Sequence, residues 1–464
     1  MMTVRALCVV LVAVGVVGMA SADLATTTSD PSAPQQIHIA FRGANYDMVV
    51  SWLTGVQTST STVKYGTSSG VYTHTVNGSL ATSYYKDNFV HHVVLEGLTA
   101  STTYYYVCGD AAGGFSSEFA FMTPPTTDQR AFKVMVYGDM GITNSGSNLQ
   151  QILAHKDDVD WVYHIGDYAY ADDRLTSSDY DETWNTWANE IEPIAATKAY
   201  MAMPGNHEAT CHSFGDFFCP DGLKNFSAYN ARFRMPAEES GSGTNMWTSF
   251  DYGNAHFISI DTETDYDHAP EGVDTIFKAG GFGDQLAWLK ADLAKAQANR
   301  AVRPWIIAAG HRPLYTASKK GLSSIIWPNT TGRLRAFVED LFHEYNVDLY
   351  LCGHVHAYER HYPIYRGEYV KSYNNPSGLS EVVIGCAGNI EGHENKWQDP
   401  IPGYCAVHNG DTYGYGVLNV FNDTTLSWTF HSATNSSIED QFVLTKDNAA
   451  GPAIISKPKL RGAM

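Results

Sequence analysis

Residues 347–360 read VDLYLCGHVHAYER: a short apolar run, a glycine, then two histidines one residue apart. Four to eight apolar residues bounded by a glycine fit a strand buried on both faces, as in a parallel sheet. In extended chain alternate side chains share a face, so His354 and His356 leave the strand end pointing the same way. Taken alone, an HxH pair is more often a solvated loop feature than a metal site, so the reading depends on whether other strands end alike.

They do. FKVMVYGD, WVYHIGD, AYMAMPGNHE and PWIIAAGH are further apolar runs, and each closes on glycine and a polar ligand type. The ends are Gly138-Asp139-Met140-Gly141, Gly166-Asp167-Tyr168-Ala169-Tyr170, Gly205-Asn206-His207-Glu208 and Gly310-His311, with Gly353-His354-Val355-His356 the fifth. AHFISID, which ends in Ile260-Asp261, is the exception. Ligands in open α/β sheets collect beyond the carboxyl ends of strands, so residues from five distant places are expected to converge. Glycine lets the backbone turn sharply enough to aim each of them. Two Asp, a Tyr, an Asn and three His make seven donors, enough for two metal ions sharing one carboxylate. Mixed oxygen and imidazole donors suit iron, zinc or manganese, and the absence of a thiol argues against a cluster or a cysteine-held structural zinc.

Around this core the chain divides into three textures. Residues 34–124 carry short β-branched and aromatic runs (QQIHIAF, MVVSWLT, TVKYG, HHVVLEGL, TTYYYVCGD, SEFAFMT) at the spacing of an all-β sandwich, closed by the linker TPPTTDQ. From 131 to 400 strands alternate with helix candidates at 146–157, 284–299 and 331–345, the rhythm of an α/β sandwich. From 401 to 446 the pattern is β again and is expected to complete the sheet edge; the tail from Gly451 is expected to be loose.

Length and composition bound the function. At 464 residues, with 44% hydrophobic and 17% charged residues, the chain is globular and multidomain. Residues 1–22 have one positive charge at Arg5, an apolar stretch short of a span, and Ala20-Ser21-Ala22 as a cleavage site, which reads as a secretory signal; an uncleaved anchor is the alternative. The formal charge of −19, one more negative once Arg5 leaves, disfavours nucleic acid and anionic membrane as partners. An anionic substrate would then need a local cation. Cys8 leaves with the signal, and six cysteines remain. Cys211–Cys219 is the first pairing expected, Cys386–Cys405 the next, and Cys352 reads as a buried thiol. Sequons at Asn77, Asn225, Asn329, Asn422 and Asn435 suit an exported glycoprotein.

GDMG, GDYAY, GNHE, GH and GHVH, in this order, resemble the purple acid phosphatases, the branch of the calcineurin-like metallophosphoesterases in which Tyr follows the second Asp by three. The resemblance runs over nearly all of the chain beyond the signal. PQQIHIAF with MVVSWLT is similar to the family's fibronectin-III-like N-terminal domain, and GCAGNIEG with YGYGVLNVFN to its C-terminal segment. It implies that Asp139, Tyr170 and His356 hold Fe(III), that Asp167 bridges, and that Asn206, His311 and His354 hold a divalent zinc, iron or manganese. It implies that His207 faces the substrate phosphate, and a secreted or lysosome/vacuole-like acid phosphatase acting on small phosphate monoesters, with metal-bound hydroxide attacking phosphorus in line. The plant enzymes carry a histidine pair nine and ten residues after the fourth-segment histidine; here those positions are Lys320 and Gly321. Lys319 or Lys320 could contact phosphate, but an ordinary ammonium is a poor acid toward an alkoxide, so His207 is the first candidate for the leaving-group proton. Phosphodiesterase, nucleotide pyrophosphatase and phytase activity on the same scaffold are the alternatives within hydrolysis. A non-enzymatic secreted binding module is the alternative outside it, and the complete ligand set weighs against it.

Overall fold

The structure is a computed structural model, and it describes residues 30–43, 46–126, 131–174, 176–320 and 330–447. The expected signal with Cys8, Gly321, Asn329, residues 127–130 of the linker region and the tail from Gly451 lie outside the described residues.

The N-terminal part folds as two antiparallel sheets. One holds strands Gln35–Phe41, Met48–Thr54 and Phe89–Leu95, and the other Thr62–Gly66, Thr103–Asp110 and Phe119–Met122. Their facing side chains, among them Val50, Trp52, Val63, Val93, Tyr106 and Phe121, form one core. Met48–Thr54 is buried at every position instead of alternating, and the neighbouring strand Gln35–Phe41 is nearly so. The reason is tertiary: this sheet lies against the α/β part. Phe41 packs edge-on to Trp161, the Ile37 N–H donates to Glu192 Oε2 at 3.0 Å, and Arg232 donates to Gln36 Oε1 at 2.7 Å. The two parts share a continuous apolar core and are not merely tethered by the linker.

The α/β part is a pair of mixed sheets between helices. The first sheet runs Tyr200–Ala202, Trp161–His164, Phe132–Tyr137, Gly414–Asn422, Thr425–Ser432, Ile438–Thr445. Its first three strands are parallel, and the C-terminal segment then joins antiparallel, Val136 pairing with Gly416. The sequence places that segment at an edge; it supplies half the sheet, its first strand pairing along the side of Phe132–Tyr137 opposite Trp161–His164. The second sheet has a parallel centre of Ala255–Ile260, Trp305–Gly310, Leu349–Cys352 and Leu379–Ile384. Tyr358–Tyr365 then pairs antiparallel with Leu379–Ile384 on one side and Cys405–Asn409 on the other. Trp161 packs edge-on to Phe257 across the two sheets, closing the interior.

Helices Gln285–Ala298 and Thr330–Glu344 cover the second sheet through Leu289, Leu293, Leu334, Val338 and Phe342. Helix Gly146–Ala154 falls within the first predicted stretch, but Ser177–Ala195 was not anticipated. Its buried Tyr180, Trp184, Trp187, Ile191 and Ile194 sit at helical spacing, and Thr176 caps it by accepting the Asp179 N–H at 3.1 Å.

Cys211 and Cys219 are joined by a disulfide, whereas Cys386 and Cys405 are both free thiols, against expectation. The sheet order explains the failure. Cys386 follows the strand on one side of Tyr358–Tyr365, and Cys405 opens the strand on its other side, opposite His361. Two strand spacings, roughly 9–10 Å, separate them before any offset along the strands, beyond the ~7 Å Cα limit for a disulfide. Cys352 is a fully buried thiol, pushed well above its ordinary pKa by burial and by Glu381 beside it.

Candidate metal centre

All five glycine-terminated strand ends meet at one place. Asp139, Asp167, Tyr170 and His354 have φ of 61°, 58°, 56° and 66°, a left-handed conformation that non-glycine residues rarely adopt. Four strained backbones at one point indicate that the surrounding fold holds these side chains in set directions at a cost of ~1–3 kcal/mol each. The glycines beside them are needed for room. A Cβ on Gly205 would overlap the Asp167 carboxylate, one on Gly353 the Asp139 carboxylate, and one on Gly166 would lie 2.7 Å from His311 Nδ1.

The seven donors fall into two groups. Tyr170 Oη lies 3.2 Å from Asp139 Oδ1, 3.0 Å from His356 Nε2 and 3.4 Å from Asp167 Oδ2. On the other side of Asp167, His311 Nε2 is 3.0 Å from the same Oδ2, and His354 Nδ1 is 2.9 Å from Asn206 Oδ1. Asp167, His311 and His354 present ligand atoms within 4.8 Å of one another. Asp167 Oδ2 is thus common to both groups.

Their electrostatics fit cations. His311 Nε2 is buried and makes no hydrogen bond of acceptable geometry, although a carboxylate oxygen faces it. Burial and the Asp139 and Asp167 charges push the Tyr170 phenol well above its ordinary pKa, so a phenolate is tenable there only beside a positive ion. Burial followed by the Arg312 charge pushes His354 well down, keeping it neutral, the form that binds metal. His311 is raised to about 9, since Asp167 and Asp139 outweigh the desolvation that lowers it.

His207 is not in either group. Its Nδ1 is 2.7 Å from Asp172 Oδ1, its Nε2 3.8 Å from Asp167 Oδ2, and its ring leans on Tyr170 with centroids 4.1 Å apart. Against desolvation, Asp172 and Asp167 push His207 well above its ordinary pKa, while burial lifts Asp172 to about 6. We read the pair as an imidazolium on a carboxylate, since the short contact joins opposite charges in a closed space. The cavity over the donors is lined by Asp172, His207, Glu271, Phe277, Lys320 and Glu391, among others. Lys320 stands on its rim, donating to Glu391 Oε2 at 3.2 Å. Of the sequon asparagines, Asn77, Asn422 and Asn435 are exposed, whereas both amide atoms of Asn225 are paired with the Gly280 backbone.

Several residues that shape the site carry no role in the sequence reading, even where a quoted motif contains them, as GNHE contains Glu208 and GCAGNIEG contains Asn389. Glu208 accepts backbone N–H bonds from Asp167, Tyr168 and Gly205 at 2.8–3.0 Å, tying two strand ends together. Asn389 donates to the Asp139 carbonyl and to Tyr170 Oη. Arg312 is held by Glu263 and Glu271 at 2.7 and 3.2 Å and reaches His354 Nε2 at 2.9 Å. Glu359 and Glu381, bridged by His361, receive the N–H groups of Ala317 and Leu314 and so anchor the segment between His311 and Lys320.

The chain is similar to known proteins over most of its length. Residues 34–123 match the family model "Purple acid Phosphatase, N-terminal domain", 132–358 "Calcineurin-like phosphoesterase", and 379–441 "Iron/zinc purple acid phosphatase-like protein C". The chain is 34% identical over 406 residues to purple acid phosphatase 18 of Arabidopsis thaliana, covering 86% of this chain and 81% of that one. It is 33% identical to human acid phosphatase type 7 over 418 residues, 85% and 86% of the two chains. Among solved structures, a purple acid phosphatase from yellow lupin (Lupinus luteus) seeds superposes with a TM-score of 0.74 at 24% identity, covering 91% of this chain and 76% of that one, a likeness of fold.

Proposed function

The chain belongs to the purple acid phosphatase family, and from that premise we propose that it is a secreted acid phosphatase hydrolysing phosphate monoesters at a dinuclear Fe(III)–M(II) centre, M being zinc, iron or manganese. The observation that carries the reading is the convergence of seven donors from five strand ends into two groups around Asp167. Asp139, Tyr170 and His356 would hold the trivalent ion, Asn206, His311 and His354 the divalent one, and Asp167 both. When bound, such a pair supplies Lewis-acid stabilisation of phosphoryl charge and a nucleophile available in acid.

The chain's own residues do the rest. Asp172 takes the Nδ1 side of His207 and leaves Nε2 facing the cavity. There the imidazolium binds a phosphoryl oxygen or gives its proton to the departing alcohol oxygen as the P–O bond breaks. Lys320 adds positive charge at the rim, opposing Glu391. The braced donors and His207 are held in place before the ester arrives, so little reorganisation remains at the moment of reaction. Export as a glycoprotein is supported by the signal segment, by exposed sequons and by the Cys211–Cys219 disulfide.

The test is hydrolysis of an activated aryl phosphate, expected to be faster below pH 7 than above it. Asp167→Asn should abolish it together with bound metal. Metal-replete protein inactive on every monoester, diester and pyrophosphate tried would end the enzyme reading.

A further inference from the structure

The disulfide closes the loop Cys-His-Ser-Phe-Gly-Asp-Phe-Phe-Cys, residues 211–219, and this loop turns its phenylalanines outward. Phe214, Phe217 and Phe218 are 70%, 68% and 71% exposed, and only one other phenylalanine among the described residues, Phe421, is exposed at all comparably. Val273 and Ile276 on the neighbouring loop are exposed too. Such a patch gains nothing for folding and on a soluble protein marks a place where something apolar binds.

The patch is built and fixed. Besides the disulfide, the Asp216 N–H donates to the Ile276 carbonyl at 3.4 Å, and Gly215, at φ 101°, packs so closely on Ile276 that a Cβ would meet its carbonyl oxygen at 2.9 Å. It is also continuous with the candidate active site. The Ser213 N–H donates to the backbone of Asp172, the residue that holds His207, and Ser213 and Phe277 themselves line the cavity. The aromatic surface therefore begins where an ester's alcohol portion would leave the cavity.

We propose that this loop is a leaving-group subsite and that the substrates are monoesters of apolar alcohols, bearing an aryl group or an alkyl chain. The proposal rests on the phosphatase reading. The overall reaction is unchanged: water oxygen bonds to phosphorus, the ester P–O bond breaks, and the alcohol leaves with a proton.

The experiment compares octyl phosphate with ethyl phosphate, alcohols of similar intrinsic reactivity, on the full-length protein and on the triple variant Phe214→Ser, Phe217→Ser, Phe218→Ser. The wild type is expected to favour the octyl ester by about tenfold or more in kcat/KM, mostly through KM, and the variant's ratio should fall toward one. Affinity for octylphosphonate against ethylphosphonate, measured by calorimetry, gives the same comparison without turnover. Wild type that hydrolyses neither ester and is also inactive on p-nitrophenyl phosphate would sink the phosphatase reading, while the phosphonate ratio would still decide the subsite. A ratio that is near one in the wild type or unchanged in the variant overturns the subsite. So does an unchanged ratio with a dimer that dissociates on substitution, which would make the loop a contact between copies.

Discussion

Gly205→Ala isolates the packing of the candidate metal centre from its chemistry, because no ligand is altered. The residue has φ −118° and ψ −176°, which alanine adopts freely, so the backbone carries no penalty. The added methyl would overlap Asp167 Oδ1 and stand 2.5 Å from the Asp167 nitrogen and 2.9 Å from its Cγ. Carbon–carbon contact favours about 3.5–4.0 Å, so the carboxylate must retreat by roughly 1 Å. It has nowhere to go: Oδ1 receives the His207 N–H at 3.0 Å, Oδ2 faces His311 Nε2 at 3.0 Å, and the side chain is buried. Overpacking of this kind costs about 1–3 kcal/mol of stability, and a ~1 Å misplacement in an active site costs about 100-fold in rate. The assay is kcat/KM on p-nitrophenyl phosphate with metal content and thermal melting in parallel. Gly146→Ala, where a methyl meets nothing within 4 Å, is the control and should behave as wild type. Gly205→Ala protein keeping both metals and most of its activity would refute the placement of Asp167 at the shared position.

Two further outcomes follow from particular contacts. If His207 delivers the leaving-group proton, His207→Ala should slow alkyl phosphates by about 10²–10⁴ and nitrophenyl phosphate much less; equal losses on both would make it a phosphate binder. His256, away from the centre, lies 2.7 Å from Asp251 and 2.9 Å from Asp292, and although burial lowers it these partners raise it to about 9, with Arg303 also on Asp251. A raised imidazole contributes stability in full below its unfolded value of ~6.5 and loses it as pH rises through the folded value, at most about 3 kcal/mol. His256→Gln should therefore lower Tm more at pH 6 than at pH 10, and an equal drop at both would contradict the ion-pair assignment.

Much of the candidate centre was legible because five of its ligands directly follow a glycine that closes an apolar run, and Tyr170 and His356 come within the next few residues, a local pattern that survives without knowing the fold. What stayed hidden depends on partners far along the chain. Glu208 acts on Asp167 from 41 residues away, and Asn389 on Tyr170 from 219. Nothing near Arg312 in sequence announces the buried Glu263 and Glu271 that fix it. The mispaired Cys386 and Cys405 failed for the same reason, since strand order decides which cysteines can meet. Met48–Thr54 reads as an ordinary sandwich strand, and only the neighbouring domain explains its burial on both faces.

The central claim is that Tyr170 and its neighbours hold iron within a two-metal site. Metal analysis with a visible absorption spectrum of the purified protein tests it most directly. Two metals per chain including iron, and a purple or pink charge-transfer band lost in Tyr170→Phe while the fold persists, are expected. A colourless wild type holding two divalent ions and no iron would contradict it.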